Sequence, residues 1–487
     1  MRLRSRAAAS AVRGLFGSLP LAVLPALLAR HLTADEFAVW ALVVQVATYV
    51  SYLEFGVQTA IIRTTAAAYA RTGRAEVARP ISAGLGLLVL ATALGALVIG
   101  VLAFAFPTVF TIPLDLITPA RESLLILGLA SAVSLSGSGV HGALIGAGYH
   151  WSSAFIVASS RLISVALVVV VAGHGASLVE MAALLGAGSV ASSVLAHLAA
   201  GWHRLPVRYR LVSRAEYRQL SAIVLTLGVG TVAMLLISGV DVIVVGIVEF
   251  QRVQPYSLAT SLVLVFASGY TIIGAALLPA FSELEAKNDR AGTERLLART
   301  SVIGCSVLGG GLVVLVALAR PILDRWAGPY ADQAIPVFVI LASAQALRLS
   351  LLPAATFLFS SADHRFARRI VLTEASLNLT SSIVLGLLLG YKGVALGTLV
   401  GTLPTFPLMW RYVAAAGVES SNMDRPAWRA FLVPAFLTAS AVALVSFVFD
   451  DLPIRCTVAF IAVFCLVRIG WREIRGTPTD SLNSADR

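Results

Sequence analysis

Two arginines lie deep inside apolar runs of this chain. Arg161 falls in the run 152 to 173, and Arg348 near the middle of the run 335 to 360. On insertion scales an arginine at the centre of a membrane helix costs roughly 2.5–3.5 kcal/mol, and such groups face the bundle interior or a wet cavity. The guanidinium fork suits bidentate binding to phosphate, so the chemistry on offer is recognition of an anionic substrate. The other reading is a structural pair with Glu54, Asp241 or Glu374.

Those three carboxylates also sit within apolar runs. In the stretch SYLEFGVQTAIIR, Glu54 has Gln58 one turn further on the same face. Two roles suit it: counter-ion to a buried arginine, which is favoured, or titratable coupling site for protons or sodium. Asp241 and Glu374 invite the same two readings. Gln58, Tyr270 and Asn378 join Arg161 and Arg348 as candidate substrate contacts. His141 is expected to be a hydrogen-bonded interior histidine. The small residues of SLSGSGVHGALIGAG (134 to 148) suggest close helix packing. No catalytic triad, metal cluster or nucleotide fingerprint is found, so neither an enzyme nor a cofactor is implied, and Cys305, Cys456 and Cys465 read as inert core residues.

The elements that must position these groups follow from composition. The chain has 487 residues, 58% of them hydrophobic and 13% charged. A soluble protein is about 45–50% apolar and roughly 25% charged, so this is an all-α integral membrane protein. A crossing needs about 20 apolar residues, and on that criterion there are about fourteen spans. The first, 11 to 30, is expected to bend at Pro20 and Pro25 and is not a signal peptide. The second covers 37 to 61 and the last 454 to 470. The net charge of +11 is almost entirely arginine, and its distribution, not its total, carries meaning; nucleic acid is not indicated. Basic residues crowd alternate loops, such as Arg204 to Arg218, Lys287 to Arg299 and Arg365 to Arg369. The opposite loops carry only Arg30, Arg121, Arg252, Arg320, Arg325, Lys392 and Arg455. By the positive-inside rule both termini are cytoplasmic in a bacterial inner membrane.

Internal similarity organises the spans. A shift of 218 places Tyr52 on Tyr270 and Gly56 on Gly274, and a shift of 217 pairs RLIS (161 to 164) with NLTS (378 to 381). Six spans separate the copies, which keeps their orientation and implies a parallel repeat about an axis along the membrane normal. The expected organisation is an N-terminal six-helix lobe (1–201), a second (202–415), an extra helix pair (416–475) and a disordered cytoplasmic tail (476–487).

With these patterns assembled, SYLEFGVQTAIIR, DVIVVGIVEF (241 to 250), LLPAFSELEA (277 to 286) and LNLTSSIVLGLLLGYKGVALGTLVGT (377 to 402) resemble the polysaccharide flippases of the multidrug/oligosaccharidyl-lipid/polysaccharide superfamily. The resemblance implies two lobes around a central cavity, alternating access, and passage of an undecaprenyl-pyrophosphate-linked oligosaccharide from inner to outer leaflet. Arg161 and Arg348 would then meet the pyrophosphate or acidic sugars, and the lipid tail would stay among membrane lipids along the last two helices. A polysaccharide polymerase is a possible partner. Multidrug antiporters of the superfamily carry a carboxylate in span one, and residues 14 to 29 contain none. Lipid II flippases carry arginines in spans one and eight, where this chain has only Arg13 at an inner edge. A membrane glycosyltransferase would need larger extramembrane loops than this chain provides.

Overall fold

A computed structural model describes residues 2–72, 77–209, 213–360, 365–415, 434–435, 437–442, 445 and 451–475. The described residues are overwhelmingly helical and include no strand. Ten helical stretches among them are long and apolar enough to cross a membrane, and Val12–Leu28 is a shorter apolar one. This is the all-α, multi-pass membrane fold that the composition predicts. The tail 476–487, most of 416–450 and therefore much of the proposed final helix pair lie outside the described residues.

The chain forms two compact units, one made of Met1–Ser268 with Ser382–Val394, the other of Gly269–Ser381 with Ala395–Arg487. The first contains α1 (Arg2–Leu28), α2 (Ala34–Ser51), α3 (Val57–Thr72), α4 (Ala78–Val109), α5 (Ile117–Gly146), α6 (His150–Ala172), α7 (Leu178–Trp202), α8 (Arg214–Ser238) and α9 (Val240–Val248). α10 (Val253–Ala286) begins in it. The second contains α11 (Arg290–Ala317), α12 (Ala319–Trp326), α13 (Ala331–Ser350), α14 (Leu352–Ser360), α16 (Thr405–Ala415) and α17 (Leu452–Arg475), with both ends of α15 (Arg365–Thr402). α1 runs as one helix through Pro20 and Pro25.

Helix starts are written in short polar motifs. Thr33 with Glu36, Ser177 with Glu180 and Ser213 with Glu216 form reciprocal capping boxes at α2, α7 and α8. In each, the hydroxyl accepts the third backbone N–H while the glutamate accepts the cap N–H, satisfying two donors that a helix start leaves unpaired.

Three apolar stretches are interrupted, each beside one of the ionisable residues singled out above. α2 ends at Ser51 and a single tight turn, Tyr52–Glu54, leads to Phe55 (φ 45) and Gly56 (φ 80) before α3 begins. Gly239 separates α8 from α9 two residues before Asp241. Leu351 separates α13 from α14 three residues after Arg348, with Pro353 in the first turn of α14, where its missing N–H is harmless. Irregular backbone at membrane depth persists only where protein or a wet cavity satisfies it. The uninterrupted span expected at 37 to 61 is thus two helices joined at the residue after Glu54.

Glycines set how closely the walls of the first unit approach. A Cβ at Gly142 of α5 would lie 2.9 Å from the Gln58 carbonyl oxygen, and one at Gly146 would lie 2.8 Å from that of Ile62. α5 therefore lies directly against the backbone of α3, the close packing that small residues permit between membrane helices. Further along the chain, Gly390 adopts φ 65 within α15, and a Cβ there would meet Glu249 Oε2 at 2.7 Å. The Tyr391 N–H donates to the same oxygen at 3.1 Å, and Arg252 binds the other at 3.3 Å. The LGYKG part of the sequence signature is thus a turn pinned by one glutamate.

Candidate functional site

The first unit holds a partly open cavity of about 350 Å³. α1 contributes Arg13 and Leu21, two turns apart on one face; the break after α2 contributes Glu54, and α3 contributes Gln58. α5 presents Ser131, Ser134, Ser138 and His141 at helical spacing, α6 presents Arg161, and α7 presents Ser189, Ser192 and Ser193. Hydroxyls, one amide, one carboxylate and two guanidiniums thus line one chamber within an apolar bundle.

Local bonds hold these groups in place. Glu54 Oε1 accepts the Gln58 backbone N–H at 3.3 Å, so the carboxylate answers the exposed start of α3, where the helix dipole favours negative charge. The Gln58 side-chain amide donates to the Ser138 carbonyl at 2.9 Å. His141 bridges two helices, Nδ1 to Ser153 Oγ at 3.0 Å and Nε2 to Ser192 Oγ at 3.3 Å. The Arg161 guanidinium makes no hydrogen bond or ion pair among the described residues. Arg13 faces Glu54 but does not approach it within ion-pair distance. Arg13 also lines a neighbouring cavity of about 370 Å³ with Ala9, Gly14, Ile145 and His150. It therefore stands between the two.

The remaining candidates sort into other environments. Asp241 is buried, with the Tyr256 hydroxyl donating to Oδ2 at 3.2 Å and that of Ser382 to Oδ1 at 3.4 Å. The Tyr49 hydroxyl binds the carbonyl of Gly239 at the adjoining break. In the second unit, Arg348 Nε meets Glu374 Oε1 at 3.3 Å, and the Thr402 hydroxyl donates to the same oxygen at 3.5 Å. Arg348 is thus in the ion pair named as its alternative. Its Nη2 is buried without a partner among the described residues, as are both amide atoms of Asn378, one turn beyond Glu374. Tyr270 is buried, its hydroxyl filling the space above Gly304. An apolar cavity of about 530 Å³ in this unit is lined by Leu308, Leu312, Ile340, Leu347 and Leu399, and Arg348 lies outside its lining.

Of the eight candidates, Glu54, Gln58 and Arg161 therefore meet in one chamber, and Arg348 with Glu374 forms a separate pair. Arg13, which the sequence places at the inner edge of the first span, joins Glu54, Gln58 and Arg161 in the chamber. Its signal was a position one and two turns before Gly17 and Leu21 in a helix that continues back to Arg2. Among the described residues no cluster of His, Cys, Asp and Glu could hold a metal ion.

No protein-family model matches the sequence, and no curated protein matches it. Solved structures do resemble the chain, and the likeness is one of fold, shared with proteins described as transporters of the multidrug/oligosaccharidyl-lipid/polysaccharide superfamily and with a lipid II flippase. One is the lipid II flippase MurJ in an inward closed conformation, with TM-score 0.69 and 11% identity over 96% of this chain and 99% of that one. Another is a multidrug resistance MATE transporter in an inward-facing conformation, with TM-score 0.68 and 12% identity over 88% and 95%. A third, from Pyrococcus furiosus, is a superfamily transporter whose binding pocket is described as reversed in polarity, with TM-score 0.61 and 11% identity over 90% and 96%.

Proposed function

We propose that this protein is a flippase that moves an undecaprenyl-pyrophosphate-linked oligosaccharide from the inner to the outer leaflet of a bacterial plasma membrane, by alternating access, for surface polysaccharide synthesis. One observation carries the reading: Arg161, without an ion pair among the described residues, shares a hydroxyl-lined chamber with Arg13. A guanidinium retained at membrane depth without a partner is costly unless an anion uses it. The diphosphate supplies that anion, and the serine hydroxyls and Gln58 suit sugar hydroxyls. Two guanidiniums against one carboxylate oppose a cationic drug as cargo, which counts against the antiporter reading. The likeness in fold to MurJ makes a lipid II cargo the second reading, since it presents the same diphosphate.

The test is complementation of a strain lacking its own flippase. Arg161→Ala and Arg13→Ala should each abolish surface polysaccharide at normal protein level, with Arg161→Lys retaining part of it. Normal export by both alanine variants overturns the proposal. Restoration of peptidoglycan synthesis instead, in a strain depleted of its lipid II flippase, transfers the assignment to that cargo.

A further inference from the structure

The charge count of the chamber changes when a doubly charged anion enters. Arg13, Arg161 and Glu54 are its charged lining residues, and His141 is the remaining titratable one. With Glu54 ionised, two guanidiniums and one carboxylate leave one net positive charge. A diphosphate diester carries two negative charges on strongly acidic groups that stay ionised through the neutral range. Seated there, it would leave one uncompensated negative charge.

The surrounding apolar bundle screens that excess less than bulk water would. A sphere of this volume is roughly 9 Å across, and charges at such separations in low-dielectric surroundings interact far more strongly than in water. The ester and Glu54 also compete for the same guanidinium, because Arg13 is the charged residue facing Glu54. Like charges sharing a site raise the proton affinity of the more basic one. Among a carboxylate and two diester phosphates, that group is the carboxylate.

The surroundings of Glu54 leave it free to take the proton. α5 presents His141, but both of its ring nitrogens are engaged by Ser153 and Ser192. α6 presents Arg161, while α2, α3 and α7 offer only hydroxyl and amide groups. α4 and α8 meet the break through Gly95 against Leu53 and Gly228 against Phe55. No arginine lies within ion-pair distance of Glu54 among the described residues, so protonation breaks no short bridge. What it weakens are two hydrogen bonds to the carboxylate, from the Gln58 N–H at 3.3 Å and from the Ser138 side chain.

We propose that the diphosphate diester binds this chamber together with one proton, which Glu54 takes up. This rests on the transport reading above and deepens it: substrate and proton occupy the site as partners, not as alternatives. Because binding free energies are reciprocal, the anion draws in the proton and the proton tightens the anion.

The experiment uses the full chain in detergent and dimethyl diphosphate, with one methyl ester on each phosphate, as a soluble diester of two charges. Calorimetry in two sodium-free buffers of different ionisation heat counts protons taken up on binding. Wild type should take up about one proton per bound diester and lose about tenfold in affinity per pH unit above the titration of free Glu54. The sign follows from Glu54 being ionised when free and protonated when bound. Glu54→Gln should bind with no uptake and no such pH dependence, whereas His141→Gln should keep both.

Binding to wild type without proton uptake overturns the coupling and leaves the transport reading standing. Uptake abolished by His141→Gln but kept by Glu54→Gln overturns the assignment. No binding of the diester to wild type refutes the chamber as a diphosphate site, and both proposals with it. The wild-type proton count decides on its own, so a poorly folding variant does not shield the idea.

Discussion

Glu374→Gln is the substitution whose cost follows most directly from the geometry. The Glu374 side chain is 7% exposed and that of Arg348 22%, with Nε and Oε1 3.3 Å apart. Deleting one partner of a buried pair leaves a stranded charge and costs about 3–5 kcal/mol, whereas replacing both by neutral groups of similar volume is often neutral or stabilising. Arg348 keeps some contact with its surroundings, so the lower end applies: about 3 kcal/mol for Glu374→Gln alone. Arg348→Met should cost less, because an orphaned Glu374 can take up a proton and keep its Thr402 contact. Combining the two should restore stability to within about 1 kcal/mol of wild type. Unfolding in mixed micelles, followed for all four members of the cycle, measures this. Glu374→Gln within about 0.5 kcal/mol of wild type would show that the pair does not hold Arg348 in place, and the reasoning that assigns it a structural partner would fail.

Two further expectations concern helix approach and topology. Gly142→Val should destabilise by about 1–3 kcal/mol, since its Cβ would meet the Gln58 carbonyl at 2.9 Å; Gly100→Ala, with nothing within 4 Å, should be silent in the same unfolding assay. A periplasm-active phosphatase fused after Pro107 should be active and one fused after Thr72 inactive, as the arginine distribution requires; the reverse pattern would invert the chain in the membrane.

The helical membrane fold was legible because it depends on sums: an apolar run long enough to cross declares itself whatever its neighbours do. Glu54, Gln58 and Arg161 were legible as buried polar residues, and Arg348 with Glu374 as a possible pair. What escaped was depth and continuity. Arg13 reads from the sequence as the inner edge of the first span, whereas α1 continues back to Arg2 and carries that side chain to the chamber. The breaks at Gly56, Gly239 and beside Pro353 were signalled by residue types that favour them, yet a count of apolar residues passes over a single glycine or proline. Tyr270 and Asn378 were flagged by sequence and prove buried, and only coordinates could show that the Asn378 amide has no partner among the described residues.

The glycines apportion closeness of fit among the chamber walls. α3 abuts α5 at Gly142, α5 abuts α7 at Gly137, and α7 abuts α6 at Gly188, each so tightly that a single added carbon would collide. Four helices are thereby geared together like cogs cut to one pitch, and none can slide without dragging the others. α1 is different: Gly14 faces open space and Gly17 meets only Val157, at an ordinary 3.4 Å. At this point α1 therefore rests on α6 through a side chain and not through apposed backbones, and it brings Arg13 to the chamber on that seam.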